Sequence, residues 1–270
     1  MKVCDVVDFL SGLSGPVRPD TCDTLKAGSL DHEVHGIAVT FMATVEVIEK
    51  AAALGADLIV THEPTFYEHT DHPAWRDGSE VARRKQDLID RHGISIWRDH
   101  DHAHASKPDA LYRGLLTELG WWGKVVPAGG GPDLAPIVVD LGGQPLAEVV
   151  EHVKRVLGMH AVRIVGDPNV RCHRVGIAFG GGSIDFGSQL APWIEANDID
   201  LLICGDIIEW TVVPYVRDAA RLGFGRALLV VGHGRSEEPG MTDVVRELAS
   251  HFGDSVPVML VEAGEPFLYF

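Results

Sequence analysis

The chain has 270 residues, 46% of them hydrophobic, which is enough for one large domain or two medium ones with a sizeable core. Its formal charge of −16, from 23 basic against 39 acidic side chains, argues against a groove that tracks nucleic-acid phosphates. No apolar run approaches the ~20 residues of a membrane span. The opening MKVCDVVDFLSGL sets acids inside its apolar stretch and has no signal-peptide cleavage pattern, and Cys4, Cys22, Cys172 and Cys204 form no CxxC pair. That argues against a disulfide scaffold or a zinc ribbon and suits a reducing compartment, so a cytoplasmic protein is expected.

Strands and helices alternate along the chain. His35–Phe41 reads as a strand. Thr44–Leu54 has helical period, with Thr44 as N-cap and Gly55 as the stop. Asp57–Val60 is a second strand, Ala74–His92 an amphipathic helix, Ile94–Trp97 a third strand and Asp109–Leu119 a helix. Gly129–Gly131 followed by Pro132 is the strongest punctuation and reads as a domain boundary or a long loop, the boundary being favoured. Strands then fall at Ile137–Asp140, Ala161–Ile164, Arg174–Phe179, Leu201–Cys204, Ala227–Val231 and Val256–Val261. Helices fall at Leu146–Leu157, Leu190–Ala196, Thr211–Leu222 and Thr242–Phe252. The fold class is α/β, as two similar domains with largely parallel sheets. The expected division is residues 1–125 with 236–270 for the first domain and 126–235 for the second.

Fourteen histidines are present, and His62, His69, His72, His92, His100, His102 and His104 crowd into one short stretch. Histidine is the commonest metal ligand and a frequent acid–base group. A weak internal repeat gives these residues a pattern. HGIAVTF, a helix and ADLIVTHEP in one half match HRVGIAFGGGSI, a helix and IDLLICGDI in the other. The next strand in each half ends in His-x-x-x-[His/Glu]: His100 and His104, then His233 and Glu237. Binding groups in parallel α/β sheets collect beyond the C-terminal strand ends. His62, Glu63, His100, His104, Asp206, His233 and Glu237 all fall at or just past such ends.

Imidazoles and carboxylates without thiolates suit Zn, Mn, Fe or Ni. Two such clusters can hold two divalent ions ~3.5–4 Å apart, which acidify a bound water and clamp a phosphoryl or carbonyl oxygen. Other site types have less behind them. Gly180-Gly181-Gly182-Ser183 lacks the ending of a phosphate loop, although its N–H groups could face an anion; a tight turn is the equal alternative. There is no GxSxG elbow. The cysteines read as buried thiols, and Trp121-Trp122 as packing or a subunit contact.

At THEP, HDHAH and GHGRSEEPG together, the sequence resembles the NIF-three-like dinuclear-metal family, whose members are often called GTP cyclohydrolase I type 2 homologues. The likeness also takes in EVIEKAAALGADLIVTHEP, AFGGGSI, LLICGDIIEW and VEAGEPF. It implies a two-domain α/β protein, a toroidal hexamer, and two metals in the interdomain cleft. Residue by residue, the family's His-His before proline is here His62-Glu63-Pro64. Its His-x-x-x-Asp is His100 with His104 in place of the aspartate, and its His-x-x-x-Glu is intact as His233 and Glu237. The family's Gly-Glu and following His-His pair appear as Gly205-Asp206 and Ile207-Ile208-Glu209-Trp210. Its Trp-Asp-Asn segment is reduced to Thr21-Cys22-Asp23-Thr24.

The resemblance implies a dinuclear-metal-dependent hydrolase acting on a small molecule such as a phosphoester, nucleotide or cyclic amide. His62, Glu63, His100, His104, His233 and Glu237 would be its ligands, and Glu209 or Asp206 its base. The alternative is a non-catalytic hexameric metal-binding or regulatory scaffold. Between His102 and His104, the i,i+4 spacing favours His104 as the ligand, with His102 behind it. No membrane or nucleic-acid partner is expected; a homo-oligomer, a hexamer above all, is.

Overall fold

The computed structural model describes residues 1–71, 74–129, 136–182 and 189–269. The helices are α1 (Val3–Leu13), α2 (Val45–Ala53), α3 (Glu80–His92), α4 (Asp101–Ala105), α5 (Ala110–Glu118), α6 (Leu146–Val156), α7 (Leu190–Ala196), α8 (Val212–Arg221), α9 (His233–Glu237) and α10 (Met241–Phe252). The strands are β1 (Leu25–Ala27), β2 (Ile37–Met42), β3 (Leu58–Glu63), β4 (Ser95–Arg98), β5 (Val125–Val126), β6 (Ile137–Pro145), β7 (Arg163–Gly166), β8 (Arg171–Ala178), β9 (Leu201–Cys204), β10 (Ala227–Val230) and β11 (Val258–Leu260). The chain divides into two compact units, Met1–Gly114 with Gly240–Gly264, and Leu115–Pro239 with Glu265–Phe270. Among the described residues, no helix is long and apolar enough to cross a membrane.

The first unit is built on a sheet of order β1-β4-β3-β2-β11, parallel throughout except where β1 meets β4. Its central strands are buried on both faces, which explains the apolar runs Ile37–Val39 and Leu58–Val60 that begin them. α2 packs Val47, Ile48 and Ala51 onto that sheet beside Ile59, Phe66 and Ile96. Its start is set by Thr44, whose hydroxyl accepts from the Val47 N–H at 3.2 Å. The strand expected to stop at Val60 continues to Glu63, because pairing with β2 persists to Met42 opposite Glu63. α3 begins at Glu80 rather than Ala74. Arg76–Gly78 form a 3₁₀ turn, and Ser79 caps the helix by accepting from the Ala82 N–H at 3.3 Å.

The second unit holds a mixed sheet of order β5-β6-β8-β9-β10-β7. β8, β9 and β10 run parallel, while the pairings of β5 with β6, β6 with β8, and β10 with β7 are antiparallel. The largely parallel arrangement expected for both units therefore holds in the first only. β6 runs on to Pro145, well past Asp140, through an irregularity in its pairing with β8, and it turns directly into α6. The core under α7 and α8 centres on Trp193. A Cβ at Gly176 would lie 2.8 Å from the Trp193 ring, so glycine is what lets the indole lie against β8. Trp121 is buried and stacks on His152, whereas Trp210 is 80% exposed.

Each unit thus contains three adjacent parallel strands, β2, β3 and β4 or β8, β9 and β10. In each, the third strand leads into a five-residue helix, α4 or α9. These two short helices carry the His-x-x-x-[His/Glu] pairs.

Candidate metal centre

In the first unit, β3 delivers His62 and α4 delivers His104, while His100 stands at the N-cap of α4. The three imidazoles converge. Ring centroids are 4.6 Å apart for His62 and His100, 5.0 Å for His62 and His104, and 4.8 Å for His100 and His104. One ligand-capable atom from each lies within 4.8 Å of the others. Each ring also has an oxygen at Nδ1. The Asp99 carbonyl is 3.2 Å from that of His62, Asp101 Oδ1 is 3.0 Å from that of His100, and Asp109 Oδ2 is 3.0 Å from that of His104. An acceptor at Nδ1 fixes the tautomer and presents the Nε2 lone pair, the arrangement found behind metal-bound histidine. Burial, then the neighbouring His100 and His104, holds the His62 pKa well below the usual histidine value, so this ring is neutral and able to ligate. The donor set therefore fits a divalent ion of borderline softness.

Glu63 points its Oε2 at Arg98, 3.2 Å from Nη2. The Arg98 guanidinium is fully buried. It also donates to the carbonyl of His62 at 2.9 Å and to that of His69, and so ties the end of β3 to the segment that follows.

His102 faces away from this cluster. Its Nδ1 lies 2.7 Å from Asp23 Oδ2. Asp23 is the hidden support of the motif. Its fully buried carboxylate accepts from the backbone N–H groups of His100 at 2.8 Å, Asp101 at 3.0 Å and His102 at 2.8 Å. It thus caps α4 from a distant point in the chain. Asp99 lies close by, and burial, then the Asp23 charge, pushes its carboxyl up to about 8. The side chain of Asp101 accepts from the Thr21 hydroxyl at 2.7 Å, and the buried Cys22 thiol lies against it. Burial pushes that thiol up to about 12, which makes it a poor thiolate donor. All four cysteines are free; Cys22, Cys172 and Cys204 are buried and Cys4 is half-buried.

In the second unit, α9 brings His233 and Glu237 together, with Nε2 and Oε2 3.0 Å apart. Asp206 Oδ2 sits 2.8 Å from His233 Nδ1 and supplies the orienting acceptor on this side. The glycine turn after β8 makes room for the pair. A Cβ at Gly180, where φ is +53°, would fall 1.7 Å from Glu237 Oε1. The Gly180 N–H donates to Ser236 Oγ at 2.8 Å and that of Gly182 to the Phe179 carbonyl at 2.9 Å, so both are committed inside the protein rather than offered to an anion. Ser183, like His72, lies outside the described residues. Glu209 is on the surface, 3.5 Å from Arg163 Nη1. Asp206 is thus joined to the His233–Glu237 pair, whereas Glu209 is not in contact with it.

The model of the Duf34/NIF3 (NGG1p interacting factor 3) family matches residues 1–266. The chain belongs to the Duf34/NIF3 family. Relatives include a Clostridium perfringens protein named GTP cyclohydrolase 1 type 2 homolog, 24% identical over 99% of both chains. A Streptomyces coelicolor protein of the same name is 25% identical over 88% of this chain and 82% of its own. Among solved structures, a hypothetical protein of Staphylococcus aureus superposes over 100% of this chain and 99% of its own, with a TM-score of 0.77 at 19% identity. A Bacillus cereus protein described as related to NIF3 gives 0.76 at 14% identity, over the same shares of the two chains. These likenesses show the mixed α/β fold.

Within this Duf34/NIF3 chain, sequence reasoning passed over Asp23, Asp109, Arg98 and the fit of Gly180 to Glu237. One signal was available: Asp23 is the acid retained in the otherwise altered Thr21–Thr24 segment.

Proposed function

We propose that the chain is a dinuclear-metal-dependent hydrolase of a small molecule, a phosphoester, a nucleotide or a cyclic amide. The observation that carries this reading is the set of three converging imidazoles, each with an oxygen acceptor at Nδ1. His62, His100 and His104 are assigned to one divalent ion. Glu63, at the end of the same strand as His62, is an additional carboxylate ligand, and His233 and Glu237 are assigned to the second ion. When bound, such ions acidify a water and polarise the oxygen of the bond to be cleaved. The protein's own part is to orient donors and move protons. Asp101, Asp109, Asp206 and the Asp99 carbonyl hold the four rings. Asp206 is occupied with His233, so proton transfer is assigned first to the exposed Glu209.

We further propose that the chain works as a closed homo-oligomer, a hexamer. Trp210, Phe267 and Leu268 are 80%, 66% and 83% exposed, and such apolar side chains suit contacts between copies.

The test joins metal analysis of the purified protein with a substrate panel, run with and without added Zn or Mn. Two ions per chain and metal-dependent turnover are expected. His62→Ala should lose metal, while Glu209→Ala should keep its metal and lose turnover. Bound metal with no turnover on any panel member would favour a metal-holding scaffold instead.

A further inference from the structure

Pro64 opens the stretch of chain between the ligand-bearing end of β3 and the Arg76–Gly78 turn. Tyr67 and Trp75 stand on this segment, each 51% exposed. Their rings are nearly parallel, with centroids 6.1 Å apart and 17° between planes. Each ring thus covers part of the other and leaves the rest to solvent, an open aromatic ledge.

The ledge is held firmly. Tyr67 and Asp71 have φ of +68° and +63°, a left-handed conformation that is uncommon for non-glycine residues and persists only where surroundings impose it. Asp71 is fully buried, 3.2 Å from the equally buried Lys26 ammonium, and its Oδ1 accepts from the Phe66 N–H. Arg76 lies 3.5 Å over the Phe66 ring and donates to the Asp71 carbonyl at 2.9 Å. The Lys85 ammonium, 5.1 Å from the Tyr67 ring centroid, donates to the Thr65 carbonyl at 2.6 Å.

The ledge is also joined to the metal-ligating face. Arg98, which grips the His62 carbonyl and Glu63, donates to the carbonyl of His69 as well. The His69 ring meets the His100 ring edge-on at 5.9 Å. Two residues of chain span at most about 7 Å, so the Tyr67 backbone lies within that distance of His69.

We infer that Tyr67 and Trp75 form the binding subsite for a planar heterocycle, seating the ring of a substrate whose anionic end reaches the histidine face. This rests on the metal-centre reading above and names its substrate class: a heteroaromatic ring linked through a short polar spacer to a phosphate or carboxylate. Stacking on an aromatic side chain holds any flat π-system, so the subsite selects ring over no ring rather than one base over another. His69, between ledge and ligands, is placed to contact the spacer.

The experiment is calorimetric titration of the Zn-loaded protein with adenosine 5′-monophosphate and with ribose 5-phosphate, which differ only in the base. Metal content is measured separately on every sample. The wild type should bind the nucleotide about tenfold more tightly than the sugar phosphate, in line with one base–aromatic stack. Trp75→Ala should erase that difference without lowering metal content, and Trp75→Phe should keep most of it. Equal binding of the two probes by the wild type, or an undiminished preference in Trp75→Ala, would overturn the subsite. A protein that prefers the nucleotide yet takes up no metal would retain the ledge and overturn the metal reading instead.

Discussion

Replacing Asp23 with alanine tests whether the histidine motif owes its geometry to a residue outside it. The side chain accepts three backbone N–H groups at the start of α4 and the ring nitrogen of His102, all between 2.7 and 3.0 Å. Loss of an N-cap acceptor alone costs about 1 kcal/mol, and buried donors left unpaired cost about 1–3 kcal/mol each. These penalties do not add fully, since a water admitted to the vacated space satisfies some donors. One gain offsets them, because Asp99 no longer faces the Asp23 charge that helps push it up to about 8. A net loss of about 3 kcal/mol is expected in urea unfolding of the metal-free protein. Because α4 also carries His104 and is entered through His100, Zn affinity should fall roughly 10- to 100-fold, the scale seen when supports of metal ligands are removed. Asp23→Asn keeps one acceptor oxygen and should lose less on both measures. Unfolding at the wild-type midpoint would refute the capping argument. Reduced stability with unchanged Zn affinity would show that α4 holds its ligands without Asp23.

Gly180→Ala should displace Glu237, since the added Cβ would fall 1.7 Å from its Oε1 at a φ of +53°; loss of metal from the His233–Glu237 side, with His62-side metal retained, is the result to seek by metal analysis. His104→Asp exchanges a neutral nitrogen ligand for an anionic oxygen and should shift preference toward Mn in competition with Zn. Unchanged preference, with a site lost in His102→Ala, would mean that His102 is the ligand. In metal-free protein, Asp99 has its pKa raised from 3.8 to about 8. The folded state then holds a proton that the unfolded state releases, so this group's contribution is full below pH 4 and is lost as pH rises through 8. Asp99→Asn should flatten that part of the pH–stability curve, measured by denaturant midpoints from pH 5 to 9.

The amphipathic helices and buried strands were readable from period and composition because each is decided by neighbours in sequence. α2 is the clearest case, with Thr44 and Gly55 marking its ends. The metal-site segments were read less well, for a physical reason. Thr61, His62 and Glu63 look like the polar residues of a loop, yet they continue β3 because β2 runs beside them and buries them. His100–His104 can be read as an extended stretch with alternating faces, but it is a helical turn whose capping acid, Asp23, comes from far upstream. The His100, His104, His233 and Glu237 spacings were visible as i,i+4 pairs. Their orienting partners were visible only in part: Asp101 is adjacent to its histidine, but Asp206 reaches His233 across a strand and a helix. Short-range pattern thus finds candidate donors, and long-range packing decides how they are aimed.

The placement of β11 bears on how the chain is made. Val258–Leu260 pair with Ile37–Val39, and α10 returns to the first unit only after the whole of Leu115–Pro239 has been traversed. During synthesis from the N-terminus, the first unit therefore emerges with the β2 edge of its sheet open, while the main body of the second unit is already available as one continuous stretch. Until the last strand arrives, that edge offers unpaired backbone groups to any passing strand. The His62-bearing sheet is then completed only once Val258–Leu260 have been made, and early termination anywhere before Val258 would leave it open.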